Sequence, residues 1–240
     1  MKILVTGATG FIGSTLVPKL RAEGHQVTEM IRYVSGGRFD IYDRTDRRFA
    51  DLRDGQSVRA VVLETKPEVI INLGAQSAVS YSFDSHQEEV ADVNYMGVVR
   101  LAEAAYEAGA WLIQASTSEV YGRLDTKAPF AEEDRIAGTS PYAAAKVAAE
   151  EYIRVKGRSH PDFRWTIMRP FNTIARAPVR NRHFVVERAA TQALETGLIS
   201  LHDSRPIRDF VFRDDHAGAY LAVVNAIAQK WQPAVNKETF

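Results

Sequence analysis

Along this chain, short continuous apolar runs alternate with longer stretches in which apolar residues recur at helical spacing. Continuous apolar runs predict strands buried on both faces, and the helical stretches predict the crossovers between them. We predict strands at residues 2–6, 25–31, 68–73, 111–115 and 163–168, with another ending near residue 50. We predict helices at residues 14–23, 56–65, 86–108 and 141–157. The pattern predicts an α/β fold with a doubly wound parallel sheet.

The regular alternation of strands and helices stops after residue 171. A basic, irregular stretch follows at residues 173–183. The remaining elements that we predict are a helix, two short strands and a helix at residues 184–196, 199–202, 209–212 and 214–229. We therefore predict a sheet domain at residues 1–171 and a smaller region at 172–240 that is interleaved with it.

Composition narrows the class of protein without naming a function. The chain has 240 residues, a formal net charge of zero and no cysteine. Zero net charge gives no general attraction to nucleic acid or anionic membranes, and the lack of cysteine excludes thiol chemistry. No apolar run approaches the roughly 18 residues that span a bilayer, and the six histidines lack metal-ligand spacing. We expect a cytoplasmic protein without a metal site.

A glycine-rich turn follows the first predicted strand, with Gly7, Gly10 and Gly13 ahead of the first helix. Strand, glycine turn and helix in this order are typical of a dinucleotide-binding unit. Glycines let a pyrophosphate approach the helix N-terminus, where backbone N–H groups point outward. The spacing is GxxGxxG rather than the common GxGxxG, and an ordinary structural turn is the alternative.

The end of the second predicted strand favours NADP, with NAD as the second choice. An acidic residue there would accept hydrogen bonds from the ribose 2′-hydroxyl of NAD, but the residues are Ile31 and Arg32. An arginine suits the 2′-phosphate of NADP. A solvated surface arginine is the alternative.

Tyr142 and Lys146 lie four residues apart in a stretch that favours helix, because alanines separate them. Pro141 suits the first helical turn, and Ser140 or Thr139 suits the N-cap. Positions i and i+4 share one helix face, so the phenol and the ammonium are presented together. A nearby cation lowers the pKa of a phenol from about 10, which makes a base for an alcohol proton. An ordinary surface helix is the alternative.

Three polar residues, Thr117, Ser118 and Glu119, follow the strand at 111–115. The carboxyl ends of strands in an open parallel sheet carry the ligand, so topology places these side chains at the site. Local capping is the alternative, since Ser and Thr often end strands and begin turns.

Several separate motifs now agree in order and spacing. They are TGATGFIGS at 6–14, DL at 51–52, QASTSEVYG at 114–122, YAAAK at 142–146, RPFN at 169–172 and RDF at 208–210. With them the whole chain resembles the extended short-chain dehydrogenase/reductases that act on nucleotide sugars, a family with a Rossmann fold. Residues 72–77 and 81–84 look most like GDP-mannose 4,6-dehydratases, and residues 205–215 look more like bacterial UDP-sugar 4,6-dehydratases.

The resemblance implies roles for individual residues. Cofactor contacts are implied for Gly7, Gly10, Phe11, Ile12, Gly13, Arg32, Asp51, Leu52, Leu73, Ala75, Tyr142 and Lys146. Catalytic roles are implied for Thr117, Ser118, Glu119, Tyr142 and Lys146. Substrate contacts are implied for Gln76, Thr117, Asn172 and Arg208. A homodimer through the helices at 86–108 and 141–156 is also implied.

The resemblance favours a nucleotide-sugar 4,6-dehydratase with tightly bound NADP, because sugar 4-epimerases usually have no carboxylate at the position of Glu119. A 4-epimerase or a UDP-glucuronate decarboxylase on the same scaffold is the first alternative. The chain departs from the family after Asn172, where Thr173 begins TIARA instead of a Gly-Pro-Arg turn. It also ends at residues 238–240, where relatives begin another strand of the substrate region, so we expect that region to be incomplete. These departures motivate a second alternative, a non-catalytic NADP-binding protein.

Overall fold

The computed structural model describes residues 1–32, 46–77, 79–83, 86–122, 129–175, 184–201, 207–229 and 231–240. Seven strands form one sheet in which every neighbouring pair is parallel. Across the sheet they are β3 (Arg47–Phe49), β2 (Gln26–Ile31), β1 (Lys2–Thr6), β4 (Val69–Asn72), β5 (Trp111–Ala115), β6 (Trp165–Met168) and β9 (Glu238–Thr239). The order reverses between β1 and β4, and ligands bind at such a switch point in open sheets. The predicted doubly wound Rossmann sheet is confirmed.

Helices cover both faces of the sheet, as right-handed crossovers between parallel strands require. The helices are α1 (Gly13–Ala22), α2 (Gly55–Thr65), α3 (Gln87–Ala91), α4 (Gly97–Glu107), α5 (Pro141–Ser159), α6 (Val185–Thr196) and α7 (Arg213–Ala228). One apolar core joins one sheet face to α2, α4 and α5, and the other joins the opposite face to α1 and α7. Because α7 packs on α1, part of the 172–240 region lies in the sheet domain's own layers. The division at residue 171 stays a prediction.

The long helix predicted at 86–108 is interrupted by a π-helical segment, Asp92–Met96. The interruption turns Asn94 inward, where its side chain is fully buried. Its amide accepts from the backbone N–H of Gln76 and donates to the carbonyl of Gln76, each at 2.9 Å. π-Bulges often occur at functional sites, and this one holds the loop that follows β4.

The end of the chain corrects one expectation. Residues 238–240 were expected to begin a strand of the substrate region, but this expectation is wrong because β9 pairs in parallel with β6 at the edge of the main sheet. The backbone N–H of Arg169 donates to the carbonyl of Phe240 at 2.6 Å, and the N–H of Lys237 donates to Trp165 at 2.7 Å. These bonds satisfy an edge that β6 would otherwise expose.

A second, two-stranded sheet lies beyond β6. β7 (Asn172–Ile174) pairs in parallel with β8 (Phe210–Phe212). We predicted a strand at residues 199–202. This prediction is wrong for residues 199–201, which form no strand, and residue 202 lies outside the described residues. No helix in the described ranges combines the length and the hydropathy that a membrane-spanning segment requires.

Candidate active site

A cavity of about 870 Å³ lies at the carboxyl ends of the central strands. Nearly all of the residues predicted for the site line it. They are Gly7, Gly10, Phe11, Ile12, Gly13, Arg32, Asp51, Leu52, Leu73, Ala75, Gln76, Thr117, Ser118, Glu119, Tyr142, Lys146 and Asn172. The exception is Arg208, whose exposed side chain donates to the carbonyl of Ile207 at 3.1 Å. The structure therefore brings together the predicted cofactor and catalytic residues and leaves Arg208 outside the cavity wall.

The glycine turn is packed so tightly that side chains are excluded. Gly7 has a φ of +62°, and a Cβ there would lie 2.7 Å from the carbonyl carbon of Leu73. A Cβ on Gly13 would lie 2.3 Å from the carbonyl oxygen of Gly7. No side chain of the described residues caps α1 at Ile12. An uncapped helix N-terminus behind a bare backbone turn fits a pyrophosphate.

Two arginines surround Asp51 at the end of the cavity near β2 and β3. The Arg53 guanidinium donates to the Asp51 carboxylate at 2.7 Å, and this hydrogen bond lowers the pKa of Asp51. The positive charge of Arg32 lowers the pKa of Asp51 further. Sequence reasoning missed Arg53, whose position two residues after Asp51 suggested only a surface charge. Arg32 lines the cavity beside Asp51, whereas Arg53 lies outside the cavity wall.

The helix that carries Tyr142 and Lys146 begins as predicted. The Ser140 hydroxyl accepts from the backbone N–H of Ala143 at 3.0 Å, and Pro141 occupies the first turn. Both functional side chains are buried, and the Lys146 Nζ lies 5.9 Å from the centre of the Tyr142 ring. The Nζ donates to the carbonyl of Ala115 at 2.9 Å, which ties the helix to the end of β5.

The expected pKa of Tyr142 is wrong for the ligand-free protein. Burial raises the pKa of Tyr142 to about 12, a hydrogen bond with Thr117 opposes the rise, and the charge of Glu119 adds to it. Burial lowers the pKa of Lys146 to about 8. Desolvation would strengthen the attraction between the Lys146 cation and a Tyr142 phenolate, but it also disfavours the phenolate itself. The pair alone therefore does not make Tyr142 a base at neutral pH.

A short 3₁₀ turn, Ser118–Tyr121, follows β5, and Thr117 is its N-cap. The Thr117 hydroxyl accepts from the backbone N–H of Glu119 at 3.2 Å. Thr117 and Glu119 line the cavity together with Tyr142; the Thr117 hydroxyl hydrogen-bonds the phenol, and the charge of Glu119 raises the pKa of the phenol. An alcohol bound beside the phenol would therefore lie next to a second hydrogen-bonding group and a second base.

A buried ion pair that sequence reasoning missed supports this end of the sheet. Arg169 donates to both carboxylate oxygens of Glu150, at 3.0 and 2.7 Å, and both side chains are almost fully buried. The Ser116 hydroxyl also donates to Glu150. Glu150 lies one turn after Lys146 on α5, and its charge raises the pKa of Lys146 against the effect of burial. The ion pair joins the catalytic helix to β5 and β6.

The cavity has a further polar wall that the motifs did not indicate, made by Thr173 on β7 and by His216 and Tyr220 on α7. The Thr173 hydroxyl and the His216 Nδ1 share a hydrogen bond of 2.8 Å. The only advance signal was the i, i+4 spacing of His216 and Tyr220 on the last helix. Among the described residues, no group of three or more His, Cys, Asp or Glu side chains could hold a metal ion.

The sequence profile of the NAD dependent epimerase/dehydratase family matches residues 3–236. The chain belongs to the NAD-dependent epimerase/dehydratase family. Its members include NAD(P)-dependent enzymes that act on nucleotide sugars. The predicted family is confirmed, and the glycine turn, the Tyr142–Lys146 pair and the polar turn at 117–119 lie together in its cavity.

Relatives within the epimerase/dehydratase family catalyse different reactions. A UDP-glucose 4-epimerase of Mycolicibacterium smegmatis is 36% identical over 230 residues, which are 92% of this chain and 72% of that protein. A GDP-mannose 4,6-dehydratase of Vibrio cholerae is 37% identical over 163 residues, which are 62% of this chain and 43% of that protein. The chain thus matches less than half the length of that dehydratase. A Thermus thermophilus UDP-glucose 4-epimerase in complex with NAD has a TM-score of 0.79 at 30% identity, covering 93% of this chain and 74% of that one.

Proposed function

We propose that this chain is a nucleotide-sugar 4,6-dehydratase that works through a 4-keto intermediate with tightly bound NADP. The observation that carries the proposal is the carboxylate of Glu119 in the same cavity as Tyr142, near enough to raise its pKa. Oxidation of a sugar alcohol needs one base, and elimination of water from the resulting ketone needs a second. Glu119 supplies that second base.

The residues act in sequence on a bound hexose. Tyr142 takes the proton of the sugar 4-hydroxyl while Thr117 hydrogen-bonds the same oxygen. When bound, the cofactor would supply a hydride acceptor for C4 and then a hydride donor for C6, and C5 regains a proton as the hydride reaches C6. A ketone at C4 acidifies the C5 proton, which Glu119 removes. Ser118 or Glu119 then protonates the hydroxyl that leaves C6 as water.

Glu119→Gln should slow dehydration by about a hundredfold or more, because the amide cannot take the C5 proton. The dissociation constant for the cofactor should not change, because Glu119 is assigned to the sugar. Product mass spectrometry and cofactor titration measure the two quantities. Glu88→Gln removes the same charge from an exposed position on α3 and serves as the matched control. Undiminished dehydration by the Glu119 variant would contradict the assignment.

A 4-epimerase is the second candidate, and the identity to the Mycolicibacterium smegmatis 4-epimerase over 92% of the chain favours it. It would use the same 4-keto intermediate and return the hydride to C4. A panel of GDP-, UDP- and dTDP-hexoses and UDP-glucuronate separates the outcomes by product mass. Loss of water supports the dehydratase, an unchanged mass with an altered sugar supports the epimerase, and loss of carbon dioxide supports a decarboxylase.

The preference for NADP rests on Arg32, which is exposed and lines the cavity beside Asp51. Arg32→Glu should weaken NADP binding by about tenfold to a hundredfold, because it replaces a charge-assisted contact with the 2′-phosphate by repulsion. NAD binding should be unchanged or stronger, because a carboxylate there can accept hydrogen bonds from the ribose 2′-hydroxyl of NAD. Arg59→Glu makes the same charge change at an exposed position on α2 as a control. Equal losses of affinity for NAD and NADP would show that Arg32 does not recognise the 2′-phosphate.

The proposed substrate is a nucleoside-diphosphate sugar held by Gln76, Thr117 and Asn172 in the cavity, with Arg208 proposed to reach its diphosphate from outside the cavity wall. We also propose a homodimer that pairs α3–α4 and α5 with those of a second copy. Met96 and Val155 support it, because these apolar side chains are exposed on the π segment and on α5. Sedimentation velocity would test the dimer.

A further inference from the structure

The α7 wall of the cavity contains two buried polar atoms that have no partner in the part of the chain that the structure describes. The Tyr220 hydroxyl and the His216 Nε2 have no hydrogen-bond partner among the described residues. Tyr220 has no exposed surface, and His216 is 8% exposed. Both residues border the cavity, and one helical turn separates them. Their rings stack with centres 5.5 Å apart, so the two unpartnered groups belong to one surface.

An unpartnered buried hydroxyl is costly, and proteins rarely keep one without a reason. Here the surroundings offer no structural use for either group. Tyr220 otherwise packs in the apolar core with α1, where phenylalanine would serve as well. The arrangement is the one expected when a ligand completes the hydrogen bonds.

The cavity wall made by α7 lies on the face of the sheet opposite to α5, the helix that carries Tyr142 and Lys146. α5 belongs to one apolar core and α7 to the other, and both border the cavity. The electrostatic effect of Tyr142 contributes to the raised pKa of Tyr220, although burial contributes more. Tyr142 and Tyr220 border the same cavity, so a ligand that fills it can reach both phenols.

We propose that His216 and Tyr220 form a binding subsite for an uncharged amide or hydroxyl group at the reacting end of the ligand. The inference rests on the proposed function for the nature of the ligand. Two ligand parts share this chemistry, the carboxamide of the nicotinamide ring and the hydroxyls of the sugar. Burial lowers the pKa of His216 to about 4, so the imidazole is neutral in the ligand-free protein, and two neutral groups favour an uncharged partner over a phosphate or carboxylate.

Tyr220→Phe separates a binding role from a structural one. The variant removes the unpartnered oxygen and keeps the ring, so the ligand-free protein should melt at the same temperature or higher. Binding of NADP, or of a nucleotide sugar at saturating NADP, should weaken roughly three- to tenfold, as expected for one neutral hydrogen bond. Thermal unfolding and isothermal titration measure the two effects without any need for turnover. Tyr106→Phe, at a half-buried tyrosine on α4 outside the cavity, should bind both as the wild type does.

Three ligands identify which group the subsite holds. If the carboxamide binds there, Tyr220→Phe weakens binding of NADP. With the 3-acetylpyridine analogue, which lacks the amide N–H groups but keeps the carbonyl, the loss disappears if Tyr220 accepts from the amide and persists if Tyr220 donates to the carbonyl. If a sugar hydroxyl binds there, NADP affinity is unchanged and the penalty appears with UDP-glucose or GDP-mannose. His216→Phe should weaken binding of the same ligand whose binding Tyr220→Phe weakens.

Wild-type affinity of both variants for all of these ligands would overturn the inference and leave the proposed function standing. A lower melting temperature of ligand-free Tyr220→Phe with normal binding would show a structural tyrosine, which also overturns it. Wild-type protein that binds neither NAD(P) nor any nucleotide sugar would overturn both the inference and the proposed function.

Discussion

Arg169→Met should lower the free energy of unfolding by about 3 to 5 kcal/mol, the loss typical of breaking a buried ion pair. Arg169 and Glu150 are both buried, and the guanidinium occupies both carboxylate oxygens. With methionine at position 169, the buried Glu150 carboxylate would keep two hydrogen-bond donors, the Ser116 hydroxyl and the partly exposed guanidinium of Arg154. Urea unfolding at neutral pH measures the change.

Two further variants test whether the loss comes from an uncompensated charge. Replacing Glu150 and Arg169 together by methionine should recover much of the stability, because the carboxylate is removed together with its partner, although buried Lys146 then also loses the charge of Glu150. Arg158→Met removes an exposed partner of Glu151 on the same helix and should cost less than about 1 kcal/mol. If Arg169→Met is no more destabilising than Arg158→Met, the buried pair does not hold the catalytic helix in place.

Local patterns were enough to predict the parts of the site that depend on neighbours in the chain. The Tyr142–Lys146 pair needs only a helix, and Ser140 with Pro141 begins one. Strand, glycine turn and helix are likewise consecutive, so Gly7 could be placed without knowledge of the sheet. Parallel topology then placed the turn at 117–119 at the cavity, because strand ends of a parallel sheet meet at one edge.

Features that depend on distant partners could not be predicted. Glu150 and Arg169 lie 19 residues apart, and in the sequence each resembles an ordinary solvated charge. β9 has only two residues, too few for a hydrophobic pattern, and pairing with β6 alone makes it a strand. The pKa of Tyr142 was predicted with the wrong sign, because the extent of burial at a helix start is a tertiary property.

Lys146→Met should reduce turnover by about a hundredfold or more, because a positioned charge beside the reacting alcohol is lost. It should also stabilise the ligand-free protein by about 3 kcal/mol at neutral pH. Burial lowers the pKa of Lys146 from 10.5 to about 8, and the carbonyl of Ala115 is the only hydrogen-bond partner of its Nζ in the described part of the chain. The folded state therefore bears the energy of a desolvated cation below pH 8. As pH rises from about 8 to about 10.5, the folded lysine is neutral while the unfolded lysine still binds its proton, so the stabilisation by methionine should fade across this window.

Lys156→Met on the same helix should have the opposite effect on stability. Its Nζ is buried but lies 2.7 Å from the Glu103 carboxylate and 4.5 Å from the centre of the Tyr106 ring. Methionine there should destabilise the protein by roughly 1 kcal/mol and leave turnover unchanged, because Lys156 lies outside the cavity. Urea unfolding of both variants from about pH 6 to about pH 10 measures the contrast. If Lys146→Met is less stable than the wild type throughout that range, the Lys146 cation stabilises the fold and the prediction is wrong. The predicted gain in stability at low pH would instead identify a buried charge that serves catalysis and destabilises the fold.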